Sequence, residues 1–298
     1  MKKILLTGAT GLLGINFYLL NKTFKIKPLI HKRSIKLKNS NKVNLLNIEK
    51  LKIIINQFKP NIILHTAALT DIDKCEKNKS FANDLNVKVT ENLAEISKQY
   101  NSKLVFISTD HLYKKKKHYF KENENTSPVN YYAKTKKKAE DIIKKKLKNY
   151  LIIRTNFFGW GTKYRKSFSD IIIQKLEKKK TISLFDDVYF NPVSIPFLCK
   201  IIKNLILENK KGVFNVSSNL SITKYHFGIM IAKVFDLNTK LIKPIKLIDK
   251  KITKRSYFMS LSNKKLIRTL KISSNQLSIS KQLKNLKKYK LNILNSLR

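Results

Sequence analysis

Thr7-Gly8-Ala9-Thr10-Gly11-Leu12-Leu13-Gly14 directly follows the apolar run Ile4-Leu5-Leu6, and this join decides the fold. A short strand, glycines at three-residue spacing and an apolar continuation at helical spacing read as a dinucleotide-binding turn. A Cβ on Gly8 would obstruct the tight turn, and one on Gly11 would hold the backbone off a pyrophosphate. One on Gly14 would push the helix off the sheet. The pyrophosphate then rests on free N–H groups of the helix that starts near Gly11, beside Thr10, Leu12 and Leu13. Glycines also serve ordinary strand-to-helix turns, but three of the chain's seven fall here.

Outward from this turn, strands and helices alternate. Lys3–Thr7 reads as a strand, Leu12–Leu20 as a helix, 26–30 as a strand and 43–45 as a short third strand. Apolar residues at helical spacing over 51–58 stop at Pro60, and Ile62–His65 reads as a buried strand. A long helix over 81–100, a strand over 104–108, a lysine-rich helix over 132–147 and a strand over 151–153 follow. This rhythm predicts an α/β fold, a doubly wound parallel sheet with helical crossovers. Beyond about Gly161 it loosens into helices over 167–176, Ile195–Leu207 and 223–234, with a strand at Gly212–Val216. Lys264–Leu270 and a final helix near 278–289 close the chain. Residues 1–160 are expected to form the cofactor domain and 161–298 mainly a smaller C-terminal substrate lobe, closely packed on it.

Composition sets the frame. With 298 residues and 42% apolar content the chain is globular, and no apolar run approaches the roughly twenty residues of a membrane helix. The start resembles a signal peptide only superficially, because Thr7-Gly8 breaks the apolar stretch at once. Cys75 and Cys199 are too few for a disulfide framework, no metal constellation surrounds them, and a cytoplasmic location is expected. The net charge of +44 admits nucleic-acid binding, attraction to an anionic membrane, or a lysine-rich composition spread over every solvated face. Lysine stands on almost every expected helix, and no nucleic-acid-binding signature accompanies it. The compositional reading is favoured, with neither a specific nucleic acid nor membrane insertion expected. The charge would still steer an anionic ligand inward.

Further stations carry chemistry. After the fourth strand, His65-Thr66-Ala67-Ala68-Leu69-Thr70-Asp71 offers small residues against which a cofactor ring can lie. After the next strand comes Phe106-Ile107-Ser108-Thr109-Asp110. Tyr132 and Lys136 stand at i and i+4 on one helix face. An adjacent ammonium would lower the phenol's pKa from about 10 toward neutrality, while Thr109 holds the substrate oxygen that Tyr132 protonates. Tyr-x-x-x-Lys also occurs at Tyr18/Lys22 and Tyr113/Lys117, so position rather than spacing selects Tyr132.

These stations, with Asn86 through Ala94, Pro128-x-Asn130-x-Tyr132, Arg154-Thr155 and Arg255 through Leu261, stand in the order of the extended short-chain dehydrogenases/reductases. In detail the chain resembles the dTDP-4-dehydrorhamnose reductase branch, strongly over its first 160 residues and weakly after. The resemblance implies a Rossmann-type fold and hydride delivery from NADPH or NADH to a 4-keto group of a nucleotide-linked 6-deoxy sugar. Thr109, Tyr132 and Lys136 would act at the carbonyl, with Lys136 also holding the nicotinamide ribose. Asp110, Asn156, Trp160 and Arg255 would face the substrate, and a homodimer is compatible. The rivals are an epimerase or dehydratase of the same family, or a non-catalytic regulatory subunit. His111-Leu112-Tyr113 and the following lysines depart from the branch's usual loop, and Ser256 replaces its usual proline. At the second strand's end, Ile30-His31-Lys32-Arg33 carries cations and no carboxylate, which favours NADPH.

Overall fold

The computed structural model describes residues 1–32, 37–114, 119–162, 164–250 and 253–288. In its first half β1 (Lys3–Thr7) leads through the glycine turn into α1 (Leu12–Leu20), followed by β2 (Lys25–Ile30) and β3 (Asn41–Lys42). Next come α2 (Ile48–Phe58), β4 (Ile62–His65), α3 (Ile72–Lys77), α4 (Lys79–Asn83) and α5 (Val89–Gln99). Then β5 (Lys103–Ile107), α6 (Tyr131–Lys146) and β6 (Tyr150–Thr155) complete it.

The second half opens with β7 (Phe157–Phe158), α7 (Phe168–Glu177), β8 (Ile182–Phe185), β9 (Tyr189–Phe190) and β10 (Val193–Ser194). It continues through α8 (Ile195–Leu207), β11 (Gly212–Val216), β12 (Ile222–Thr223), α9 (Lys224–Val234) and β13 (Ile242–Ile245). It closes with α10 (Lys264–Leu270) and α11 (Ile279–Lys288).

Seven strands form one sheet in the order β11-β6-β5-β4-β1-β2-β3, with every neighbouring pair parallel. This is a Rossmann-type, doubly wound α/β fold. The strand order reverses between β1 and β4, where such sheets open a crevice at their carboxyl ends. The central runs Ile62-Ile63-Leu64 and Leu104-Val105-Phe106 are apolar throughout because helices cover both faces. Leu6, Leu64, Val105 and Ile153 pack toward α1 and α8, and Leu5, Ile63, Leu104 and Ile152 toward α2, α5 and α6. A separate core gathers Phe158, Trp160, Ile172, Phe190, Phe227 and Leu283 beneath α7, α9 and α11.

Several readings are corrected. Gly212–Val216, expected in the second lobe, completes the first sheet, because β6 needs a parallel partner and α8 supplies the crossover onto α1. The third strand is Asn41–Lys42, not 43–45. Val43 and Leu45 are buried, but the Asn44 side chain accepts from Leu46 N (3.1 Å) and turns the chain. The long helix begins at Lys79, capped by Asn78, and contains a π-helical turn at Asp84–Lys88. The short strands β7 to β10, β12 and β13 were not legible, since two to four residues carry too little pattern to read.

Candidate functional site

The glycine turn sits at the crevice. Gly8 has φ +66°, and a Cβ there would lie 2.6 Å from Ala67 N, so the close approach of β1 to the end of β4 requires glycine. A Cβ on Gly14 would lie 2.2 Å from Gly8 O, so the turn itself, more than the sheet, excludes a side chain there. Gly11 is the N-cap of α1 with no side-chain cap, and a Cβ would meet only Gly8 O at 3.0 Å. Open space in front of uncapped N–H groups is a cradle that fits a pyrophosphate. Ala67 and Ala68 are partly buried and Thr70 exposed at the end of β4. His31 and Lys32 are exposed beyond β2, and Arg33 lies outside the described residues.

Helix α6 starts where Asn130 caps it, accepting from Ala133 N at 2.9 Å. That places Tyr132 over the end of β5, its ring packed with Ile72, Cys75 and Ala82. The Thr109 hydroxyl lies beside the Tyr132 phenol, donating to Asp110 and accepting from His111 N, both at 3.3 Å, and the His111 ring meets Tyr132 edge-on at 6.0 Å. Burial pushes the phenol above its ordinary pKa; the Thr109 hydrogen bond and the Arg165 charge pull it only partly back. The expectation that Lys136 brings this phenol toward neutrality is not met. Lys136 Nζ donates to Ile107 O (2.7 Å) and lies 3.9 Å from the Phe106 ring centroid. Burial takes that ammonium down to about 7, opposed by Glu140.

Asp110 is buried beside Thr109, whose hydroxyl donates to it at 3.3 Å, and Asn156 Nδ2 donates to its other oxygen at 2.9 Å. Burial raises its carboxyl to about 6 despite these contacts. Arg255 is partly buried and binds Asp73 at 3.1 Å. Trp160 is drawn into the second core instead: its Nε1 donates to Leu286 O (3.0 Å) and its ring meets Phe235 edge-on. The surrounding Ile172, Ile182 and Leu184 give that ring more apolar burial than a polar cleft offers. The rival Tyr-Lys pairs lie elsewhere. Tyr18 donates to Lys38 O, while Tyr113 is stacked on Phe120 at 4.1 Å and bound by Arg154; Lys117 lies outside the described residues.

Further side chains tie the elements of the site together. Asn86, on the π-helical turn, donates to Leu69 O and Thr135 Oγ1 and accepts from Leu69 N, tying the end of β4 to α6. Arg165 Nη2 reaches across to Thr70 Oγ1 at 2.7 Å. Glu140, one turn beyond Lys136, is held by Arg154 at 2.7 Å and by the Ser108 hydroxyl at 2.6 Å. Burial alone would raise the Glu140 carboxyl, but Arg154 and Ser108 hold it below the usual range. Glu140 at i+4 from Lys136 is legible on the helix face, whereas Arg165 has no local signature.

The family model described as RmlD substrate binding domain matches residues 1–287. The chain is 28% identical over 262 residues to methionine adenosyltransferase 2 subunit beta of Xenopus tropicalis, spanning 82% of this chain and 75% of that protein. It is 26% identical over 244 residues to a dTDP-4-dehydrorhamnose reductase of Aggregatibacter actinomycetemcomitans, spanning 78% of each. The crystal structure of dTDP-4-dehydrorhamnose reductase from Bacillus anthracis in complex with NADP superposes with a TM-score of 0.85 at 23% identity, covering 98% of this chain and 100% of that one.

Proposed function

The chain belongs to the RmlD substrate binding domain family, and from that membership and the site's geometry we propose that it is an NAD(P)H-dependent reductase of a nucleotide-linked 4-keto-6-deoxy sugar. The observation that carries this reading is the placing of Tyr132 beside Thr109 and His111 at the end of β5, with Lys136 one turn behind. The glycine cradle at Gly8, Gly11 and Gly14 would hold the dinucleotide, with Ala67, Ala68 and Thr70 beside its ring and Lys136 at its ribose. When bound, that cofactor supplies the hydride for the sugar's C4. The similar Bacillus anthracis protein is complexed with NADP, and the basic stretch His31-Lys32-Arg33, with no carboxylate in it, favours NADPH over NADH.

Thr109 orients the carbonyl oxygen by a hydrogen bond. Tyr132 gives its proton to that oxygen as negative charge develops there. A phenol raised by burial is fully protonated at neutral pH, which suits a donor, and the nearby Arg165 charge favours the resulting phenolate. Tyr132→Phe keeps the ring's packing and deletes the proton. NADPH oxidation with a dTDP-linked 4-keto-6-deoxyhexose should fall about 10²–10⁴-fold in kcat with cofactor affinity nearly unchanged. Turnover equal to the parent's would remove Tyr132 from this role.

A second reading, a non-catalytic binding subunit, is favoured by the similarity to methionine adenosyltransferase 2 subunit beta. It requires that the parent bind dinucleotide yet oxidise no NADPH with any keto-sugar nucleotide.

A further inference from the structure

Arg165 is presented by a densely bonded turn of the second lobe. Asp170 accepts from Gly161 N at 2.9 Å and from Ser167 N at 2.8 Å, which pins both ends of the turn. Inside it Thr162 and Arg165 exchange backbone hydrogen bonds at 3.0 and 3.2 Å, and Thr162 Oγ1 accepts from Tyr164 N and Arg165 N. A Cβ on Gly161 would collide with Arg165 O, so the turn requires glycine there. The backbone of Arg165 is fixed, while its exposed side chain crosses the crevice to Thr70 Oγ1 at 2.7 Å.

A second crossing comes from the chain between β13 and α10, where Arg255 reaches Asp73 at 3.1 Å. Asp73 is half-exposed, so this ion pair is screened and weak, and Arg255 Nε is buried with no hydrogen-bond partner. Both guanidiniums end on one short segment, residues 70–73, and Leu69 and Ile72 of that stretch pack with the Tyr132 ring. The two cations therefore border the place of the reacting sugar. Among the described residues Arg165 makes no ion pair, and its forked cation meets only a neutral hydroxyl. A phosphoryl group offers paired oxygens and full charge in the matching geometry, and a diphosphate offers two such groups side by side. We propose that Arg165 binds the diphosphate of the sugar nucleotide opposite Arg255, leaving Thr70 as that ligand enters. This rests on the reductase reading above.

The test titrates the protein by calorimetry with dTDP, UDP and GDP, and compares the tightest of them with its monophosphate. The parent should prefer the diphosphate by at least about tenfold, the scale of one charge-assisted hydrogen bond. Arg165→Gln, at an exposed position, should keep the parental circular dichroism melt. It should lose about tenfold on the diphosphate, with affinities for the monophosphate and for NADPH within about twofold of the parent's. Arg165→Lys should recover only part, because a point charge lacks the fork. Lys166→Gln removes a neighbouring charge that is bonded to Gln174, and should leave the preference intact. No preference in the parent, or an undiminished one in Arg165→Gln, overturns the inference alone. So does an equal loss for diphosphate, monophosphate and NADPH, or an equal loss in Lys166→Gln, either of which would reduce Arg165 to general positive charge. A parent that binds none of the three nucleotides removes the sugar-nucleotide reading and this inference with it.

Discussion

The two rims of the crevice are built in opposite ways. The rim at β1 and β4 is made of backbone and small residues, Gly8, Gly11, Gly14, Ala67 and Ala68, and excludes by shape. The rim at the ends of β5 and α6 carries polar side chains, Thr109, Asp110 and Tyr132, that meet their neighbours through hydrogen bonds and ring contacts. The first draws its glycines from a single short turn and its alanines from the end of β4; the second is gathered from positions far apart along the chain. A binding surface specified by what must be absent needs only a short motif. One specified by what must be present needs the whole fold to bring its parts together.

The sharpest way to break this contrast lies within the shape-built rim. Gly14→Val would place its side chain against Gly8 O, where a Cβ already lies 2.2 Å away, and should prevent folding of β1 and α1. Gly11→Val faces open space apart from Gly8 O, so it should fold with near-parental cooperativity in circular dichroism melts yet show no measurable NADPH binding by fluorescence. Two folded variants with normal binding would show that shape does not govern this rim.

The charge-built rim leans on the buried pair of Glu140 and Arg154, which also grips Tyr113 at 2.7 Å and Glu122 O at 3.1 Å. Arg154→Leu leaves Glu140 buried with only Ser108 and partly exposed Lys144, and should cost about 3–5 kcal/mol in urea unfolding. Adding Glu140→Leu should restore most of it, because the penalty comes from the orphaned carboxylate. A cost below about 1 kcal/mol for the single change would make the pair incidental.

The smallest expected effect joins the rims. Thr90 Oγ1 donates to Asn86 O, so it accepts from His65 Nε2, and His65 Nδ1 then accepts from the Thr7 hydroxyl at 2.7 Å. The ring is therefore neutral, and burial, with the Lys136 charge, holds it down to about 3. An unfolded histidine takes its proton near 6.5, so stability is full above that pH and falls as pH drops from 6.5 toward 3. Moving from pH 7.5 to 4.5 should cost the parent about 2–3 kcal/mol more than His65→Gln. Equal losses would place a charged histidine in the sheet.

Much of the fold was legible because parallel strands buried on both faces read as unbroken apolar runs between periodic helices. Helices α1 and α8 fall where the sequence placed them, since Gly11 in one and Ser194-Ile195-Pro196 in the other mark their starts. The strand at 43–45 was set too late because Val43 and Leu45 signal burial, whereas the ladder with β2 runs over Asn41–Lys42 and ends with Val43 N on Ile30 O at 2.9 Å. Tyr132 was separable from Tyr18 and Tyr113 by its place in the strand–helix order. The direction of its titration was not, because burial is a property of the packed chain.

The sequence by itself determined the parallel sheet and the glycine turn. Each follows from local periodicity, a steric prohibition or the fixed order of crossovers. Only the tertiary structure decided that Lys136 turns to Ile107 O, that Trp160 belongs to a core, and that Arg165 reaches Thr70. A side chain's partner and its charge depend on which distant segments enclose it and how much water they exclude. No spacing along the chain records that enclosure.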